Sequence, residues 1–283
     1  QTFAGKEEHF QVASNIYLYA IDKGNLRVKG ETFVVRKDPK AKTTGRLSVA
    51  RLEYAGAWDP EPGGWVRIAA LMHNLHGVAL DVSAVKPGAG KLSSGIDLAH
   101  LTGTGKFQLD PSARSEIKSF VERGGTLLVD ACGGDRQFIL AAESELDAMF
   151  GAGSLKPIAS SDPLFEAGKK TERFEYRSYH RRQVGSSAGP RLQGIWVNDR
   201  LAVIYSPDDL SVGLVGQAVD GIAGYTPETA TSIVLNVLNH AAAKKAASSR
   251  PAPTTAKAPV AEAEKKSGPS SAEPAPVAAE TKK

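Results

Sequence analysis

Apolar residues in this chain fall into two patterns, short unbroken runs and stripes at helical spacing. Thr126 to Ala131 lies between the Gly124-Gly125 pair and Cys132-Gly133-Gly134-Asp135 and shows no polar/apolar alternation. Its β-branched and leucine content predicts a strand buried on both faces, in the middle of a parallel sheet covered by helices. Leu47 to Tyr54, Val78 to Val82 and Leu98 to Thr102 read as three earlier strands. Between and after these runs the period changes. Trp65 to Leu75 reads as a helix, with Val66, Ala69, Ala70 and His73 at helical spacing and His76-Gly77 at its end. Asp110 (cap), Pro111 and Gly124 bracket a second helix, whose stripe of Ala113, Ile117, Phe120 and Val121 should meet the sheet. Phe138 to Phe150 gives a third, with Leu146 and Phe150 inward. A fourth starts at Thr226-Pro227-Glu228 and runs to about Ala243, burying Ala230, Ile233, Val234, Val237, Leu238 and Ala241. Leu192 to Val197 and Arg200 to Tyr205 flank Asn198-Asp199, a two-residue hairpin connection. Strands alternating with helices predict an α/β fold with a mainly parallel sheet.

The flanks are different. Residues 1–45 read as an N-terminal β appendage: a turn at Lys23-Gly24-Asn25, a short strand at Thr32 to Val35 and a solvated linker at Lys37 to Lys42. The core domain opens at Arg46 and extends over 46–245. Residues 246–283 are rich in Ala, Pro, Ser, Lys and Glu and hold six of the 16 prolines. That composition buries too little apolar surface to offset ordering entropy, so a disordered C-terminal tail is expected. Lys169 to Gln183 is basic and tyrosine-rich and interrupts the core elements. It reads as a solvated insertion, with a stacking and phosphate-binding surface as the alternative.

Charge changes the picture only by its placement. Eight of the 35 basic and four of the 31 acidic residues lie in 241–283, which leaves 27 of each in 1–240. The body is neutral, so no nucleic-acid partner is expected. One cysteine excludes an internal disulfide and a cysteine-based zinc site. No run approaches the ~20 apolar residues of a membrane span. The chain begins with Gln1 and not Met, from which we expect export, to the periplasm or cell envelope.

Candidate chemistry gathers after the strands. Trp58-Asp59-Pro60, Thr102-Gly103-Thr104-Gly105, Asp130-Ala131-Cys132-Gly133-Gly134 and Ser206-Pro207-Asp208-Asp209 each follow a predicted strand. Ligands of open α/β sheets sit beyond the carboxyl ends of strands, so these clusters should share one rim. The ligand-binding candidates are Trp58, Asp59, Thr102, Gly103, Gly105, Asp130, Gly133, Ser206, Asp208 and Asp209, and the catalytic candidates are Cys132, Asp130 and Asp209. Short turns use the same residue types for conformation alone. Cys132 lacks the first small residue of a nucleophile elbow, since Asp130 stands there, and an adjacent carboxylate raises a thiol pKa. Asp59, Asp130, Asp135, Asp208 and Asp209 offer oxygen ligands, but at no recognised metal-binding spacing, so no metal is expected. Gly103-Thr104-Gly105 lacks the third glycine of a dinucleotide fingerprint, and no cofactor is expected. His100, within an apolar strand, reads as a hydrogen-bonded core residue.

Several ordered blocks resemble the bacterial domain-of-unknown-function family 4159. They are Arg51-Leu52-Glu53-Tyr54 with Trp58-Asp59-Pro60, Ala99 to Thr104, Gly125 to Ala131, Glu175-Tyr176-Arg177, Ala202 to Leu210, Val215-Gly216-Gln217, and Gly224 to Pro227, all within about Arg46 to His240. The resemblance implies a fold similar to class I glutamine amidotransferases, a flavodoxin-like three-layer sandwich. The amidotransferase Gly-x-Cys-x-Gly elbow is broken by Asp130, and no His-Pro-x-Glu block is present, so the resemblance implies a fold and no activity. The expected function is a non-catalytic binding or scaffolding domain of an exported protein, with an unknown small molecule or protein as partner. The alternative is a hydrolase or transferase acting on a small polar substrate, a carbohydrate among the candidates.

Overall fold

Among the described residues seven strands form one sheet in the order β2-β1-β3-β4-β7-β6-β5. The computed structural model describes residues 11–16, 33–93, 95–168, 170–185 and 189–248. The elements are β1 (Gly45–Leu52), α1 (Pro62–His76), β2 (Val78–Val85), β3 (Leu98–Gly103), α2 (Pro111–Glu122), β4 (Thr126–Ala131), α3 (Arg136–Phe150), β5 (Lys156–Pro157), α4 (Ser178–Val184), β6 (Gln193–Val197), β7 (Arg200–Ser206), α5 (Ser211–Leu214) and α6 (Pro227–Ser248). Three-residue and four-residue 3₁₀ turns, Cys132–Gly134 and Pro163–Glu166, flank α3 and β5.

β2, β1, β3, β4 and β7 run parallel. β6 is antiparallel to β7, as the hairpin reading requires. Asn198 and Asp199 at the hairpin tip have φ of 52° and 58°, the left-handed pair of a type I′ turn. Chain order reverses between β1 and β3, because β1 leads first to β2 on one side and the chain then returns to β3 on the other.

Every residue of β3 and β4 is buried. Leu98, Leu128 and Ile204 belong to one hydrophobic cluster with Trp65, Ile68 and Met72 of α1 and Ile233, Val237 and Leu238 of α6. Ala99, Leu101, Leu127, Val129 and Val203 point the other way, against Ile117 and Phe120 of α2 and Phe138 and Leu146 of α3. Alternate residues of each strand thus serve opposite cores, giving helix, sheet and helix layers. No helix among the described residues is long and apolar enough to cross a membrane.

Four expectations need correction. The buried stripe of α1 runs through Trp65, Ile68 and Met72 together with the expected Ala70, and Ala69 packs against the core partly buried, while Val66 is 71 % exposed; the larger side chains bury more apolar area, and they set the phase. No strand occurs among the described residues before Gly45: residues 11–16 are helical, and Phe33 to Val35 form neither helix nor strand. A strand needs a ladder partner, whereas this segment is held by side chains of α1. Asn74 Nδ2 donates to Arg36 O at 2.8 Å and Asn74 Oδ1 accepts from Asp38 N at 2.7 Å. The segment 170–183 is not a solvated insertion, since Phe174, Tyr176, Arg177 and His180 are buried. Stacking of Tyr176 on Tyr225, with ring centroids 4.7 Å apart, draws it in. Finally, α6 continues to Ser248, through the first residues assigned to the tail, which are good helix formers. The turn at Lys23-Gly24-Asn25 and residues 249–283 lie outside the described residues.

Candidate functional site

Parallel pairing puts three of the predicted residues side by side. Thr102 of β3 is in register with Asp130 of β4, and Asp130 with Ser206 of β7. Gly103 is level with Ala131, and a bridge joins Ala57 to Thr104. The loops after β1, β3, β4 and β7 therefore lie along one rim of the sheet.

At its centre the rim is closed. Asp130, Ser206 and Asp209 are fully buried, and Cys132 is 3 % exposed. Asp130 Oδ1 accepts from His100 Nε2 at 2.7 Å and from Ser211 Oγ at 3.0 Å. Its Oδ2 accepts from the backbone N–H groups of Leu210 at 3.1 Å and Ser211 at 2.9 Å. Burial opposes the charge on Asp130, but the His100 and backbone hydrogen bonds prevail and hold the carboxyl below its ordinary range. Trp65 Nε1 lies 3.1 Å from His100 Nδ1. An indole N–H only donates, so Nδ1 must accept and the ring proton sits on Nε2, facing Asp130. The imidazole has no lone pair left for a substrate.

Asp209 is a second buried carboxylate. Oδ1 accepts from Gly133 N at 2.8 Å and Val212 N at 3.0 Å, and Oδ2 from Gly213 N at 3.2 Å. Burial, then the charge of Asp130, pushes its carboxyl up to about 7 against the pull of those donors. The Cys132 thiol is pushed far above its usual value by burial first, then by Asp130 and Asp209, so no thiolate forms near neutral pH.

Thr102 joins this cluster through Ser211, and the other remaining candidates separate from it. Thr102 Oγ1 lies 3.1 Å from Ser211 Oγ. Gly103 has φ 156° and packs against the Tyr54 hydroxyl and Ala57 carbonyl. Gly105 N donates to Asp135 Oδ1 at 2.9 Å, and the same oxygen caps α3 through Phe138 N at 2.8 Å. Asp208 turns away, with Oδ1 2.9 Å from His180 Nε2 and Oδ2 2.9 Å from Arg191 Nε. Asp59 pairs with Arg51, whose guanidinium lies over the Trp58 ring, 5.4 Å from its centroid. Each of the five aspartates considered for a cation is thus occupied. Among the described residues no group of three or more His, Cys, Asp or Glu is placed to hold a metal ion.

Open space lies further along the rim, at the ends of β1 and β2. A cavity of about 250 Å³ is lined by Glu53, Tyr54, Trp58, Lys86, Gln108 and Asp110. Asp110 stands at the N-cap position of α2 but its side chain makes no capping hydrogen bond. Glu116 of α2 fastens the loop after β2 by accepting from Gly88 N, from Gly90 N at 3.1 Å and from Leu92 N at 2.6 Å. Burial opposes its charge, but these backbone donors lower its pKa. Of the cavity residues only Trp58 is a sequence candidate. Glu53 and Lys86 were findable, because each directly follows a strand that ends at this rim.

All of these elements fall inside one matched region. Residues 48–242, well over half of the chain, match the family described as Domain of unknown function (DUF4159). The chain belongs to that family. The matched region runs from β1 into α6, so the whole rim is part of the family domain. A comparison with curated proteins returns no match.

Proposed function

We propose that this chain is a non-catalytic binding domain on a flavodoxin-like, class I glutamine amidotransferase-like core, which takes a small hydroxyl-rich molecule such as a sugar in the cavity at the ends of β1 and β2. The order β2-β1-β3-β4-β7 with a reversal beside β1 supports the fold reading. One observation carries the function: the acids, imidazole and thiol at the centre of the rim are all buried and all but the thiol hydrogen-bonded to the protein, while the open cavity beside them carries binding groups. Glu53, Asp110 and Gln108 supply acceptors for several hydroxyl donors, Lys86 supplies a donor, and Trp58 supplies apolar surface. Arg51 and Asp59 brace the Trp58 ring, so little ordering is needed on binding.

The reading is tested by titrating the full chain with a panel of mono- and disaccharides and polyols, following melting temperature and tryptophan fluorescence. At least one compound should stabilise the protein, and Trp58→Ala and Glu53→Gln should each weaken it about tenfold or more, about 1.4 kcal/mol, with the unliganded fold unchanged. No stabilisation by any of them, or equal stabilisation in both variants, overturns it.

A hydrolase or transferase is the second reading, and Asp209 favours it, since a carboxyl near 7 suits proton transfer. It requires a substrate to reach a fully buried side chain. Turnover of any compound that binds, lost in Asp209→Asn and in Cys132→Ser, would replace the first reading with this one.

A further inference from the structure

A second cavity, of about 370 Å³, shares no residue with the first and lies where the loop before α4 meets the loop between α5 and α6. Arg177 lines it and is itself 6 % exposed. Its Nε donates to Tyr225 O at 3.0 Å and its Nη1 to Val219 O at 2.8 Å, which fixes the guanidinium on two carbonyls. Nη2 is buried with no hydrogen-bond partner among the described residues. A buried cationic N–H left unpaired is costly, and an acceptor that reaches it from the cavity by a small shift of the side chains covering it would satisfy it.

The rest of the lining says which acceptor. Arg181 adds a second guanidinium, and Asp220 and Glu228 add two carboxylates. Two guanidinium groups on one lining, the second already donating from Nη2 to Ser178 Oγ at 3.2 Å, suit a planar carboxylate. The acidic pair would repel a dianion such as phosphate but would partner an ammonium group. We propose that this cavity binds a free α-amino acid, its carboxylate on Arg177 and Arg181 and its ammonium on Asp220 and Glu228. The volume is in the range of small-molecule sites. This site is independent of the sugar cavity, and either can exist without the other.

Isothermal titration of the full chain with glycine, alanine, leucine, glutamate and lysine tests it, with acetate, methylammonium and inorganic phosphate as controls. At least one amino acid should bind saturably, with acetate and methylammonium at least tenfold weaker and phosphate not competing. Arg181→Ala and the double variant Asp220→Asn, Glu228→Gln should each lose about tenfold in affinity with an unchanged circular dichroism spectrum. Arg177→Lys should lose binding as well, because it keeps the charge and removes the unpaired fork. If it fails to fold, the other variants still decide. Absence of binding by all five amino acids, phosphate or acetate binding as tightly as an amino acid, or wild-type affinity in the Arg181 and double variants would each overturn the assignment.

Discussion

Trp65 selects one tautomer of His100, its indole nitrogen 3.1 Å from Nδ1 on the side of the imidazole away from Asp130. The arrangement has an acid and a histidine in hydrogen-bond contact, as a catalytic pair would, but the nitrogen that would face a substrate faces the core side of α1 instead. Trp65→Phe should leave Nδ1 buried and unpartnered and destabilise the protein by about 1–3 kcal/mol. Urea unfolding should show the lower midpoint with an unchanged slope, and an unchanged midpoint would remove the structural role given to this bond.

Asp209 makes stability depend on pH in an unusual direction. Its ordinary pKa is 3.8, and in the fold burial and the neighbouring Asp130 raise it to about 7. Between those values the folded protein binds more protons than the unfolded chain. The stabilisation is complete below about pH 4 and is lost as pH rises through about 7, by up to ~1.4 kcal/mol per unit. Asp209→Asn should flatten that decline when unfolding is compared at about pH 5 and about pH 8. A parallel decline in the variant would assign the effect to other groups.

Cys132 should behave as an inert thiol. Burial and two adjacent carboxylates keep it protonated, so alkylation by iodoacetamide at neutral pH should be slower than in the urea-unfolded chain by at least two orders of magnitude. Equal rates in the two states would show an exposed, reactive thiol.

Gly103 and Gly105 separate backbone strain from crowding. A Cβ on Gly103, at φ 156°, would strike the Tyr54 hydroxyl and the Ala57 carbonyl, whereas Gly105, at φ 76°, has open space. Gly103→Ala should cost about 3 kcal/mol or more and Gly105→Ala about 1 kcal/mol in urea unfolding. Equal costs would mean that the loop after β1 yields easily.

Much of the architecture could be read from the chain because local and tertiary demands coincide there. The stripe on α2, the capped start of α6, the Asn198-Asp199 turn and the doubly buried β4 each carry a strong local signal. The phase of α1 is legible only in part: Ala70 is buried as its spacing predicts, but Val66 faces out because Trp65 and Met72 carry more apolar area. The shared rim also followed from the residues, since parallel strands end together. Which rim residues are open did not follow. An aspartate that accepts backbone N–H groups 80 and 81 residues away has the same local sequence as one that faces a ligand. His100 and Asp130 could have been paired with one more step. His100 is in register with Leu128, and Asp130 is two residues on, on the same face.

The position of β7 also governs how the molecule can be assembled. β4 pairs with β7 across a long intervening excursion, and apart from His100 the donors to Asp130 come from the chain beyond β7. During synthesis β1 to β4 can form while one edge of β4 stays bare and the Asp130 carboxylate, with His100 on one oxygen, keeps water on the other. Only when residues 200–213 leave the ribosome can that edge be covered, so the sheet is completed by the late-made half of the domain.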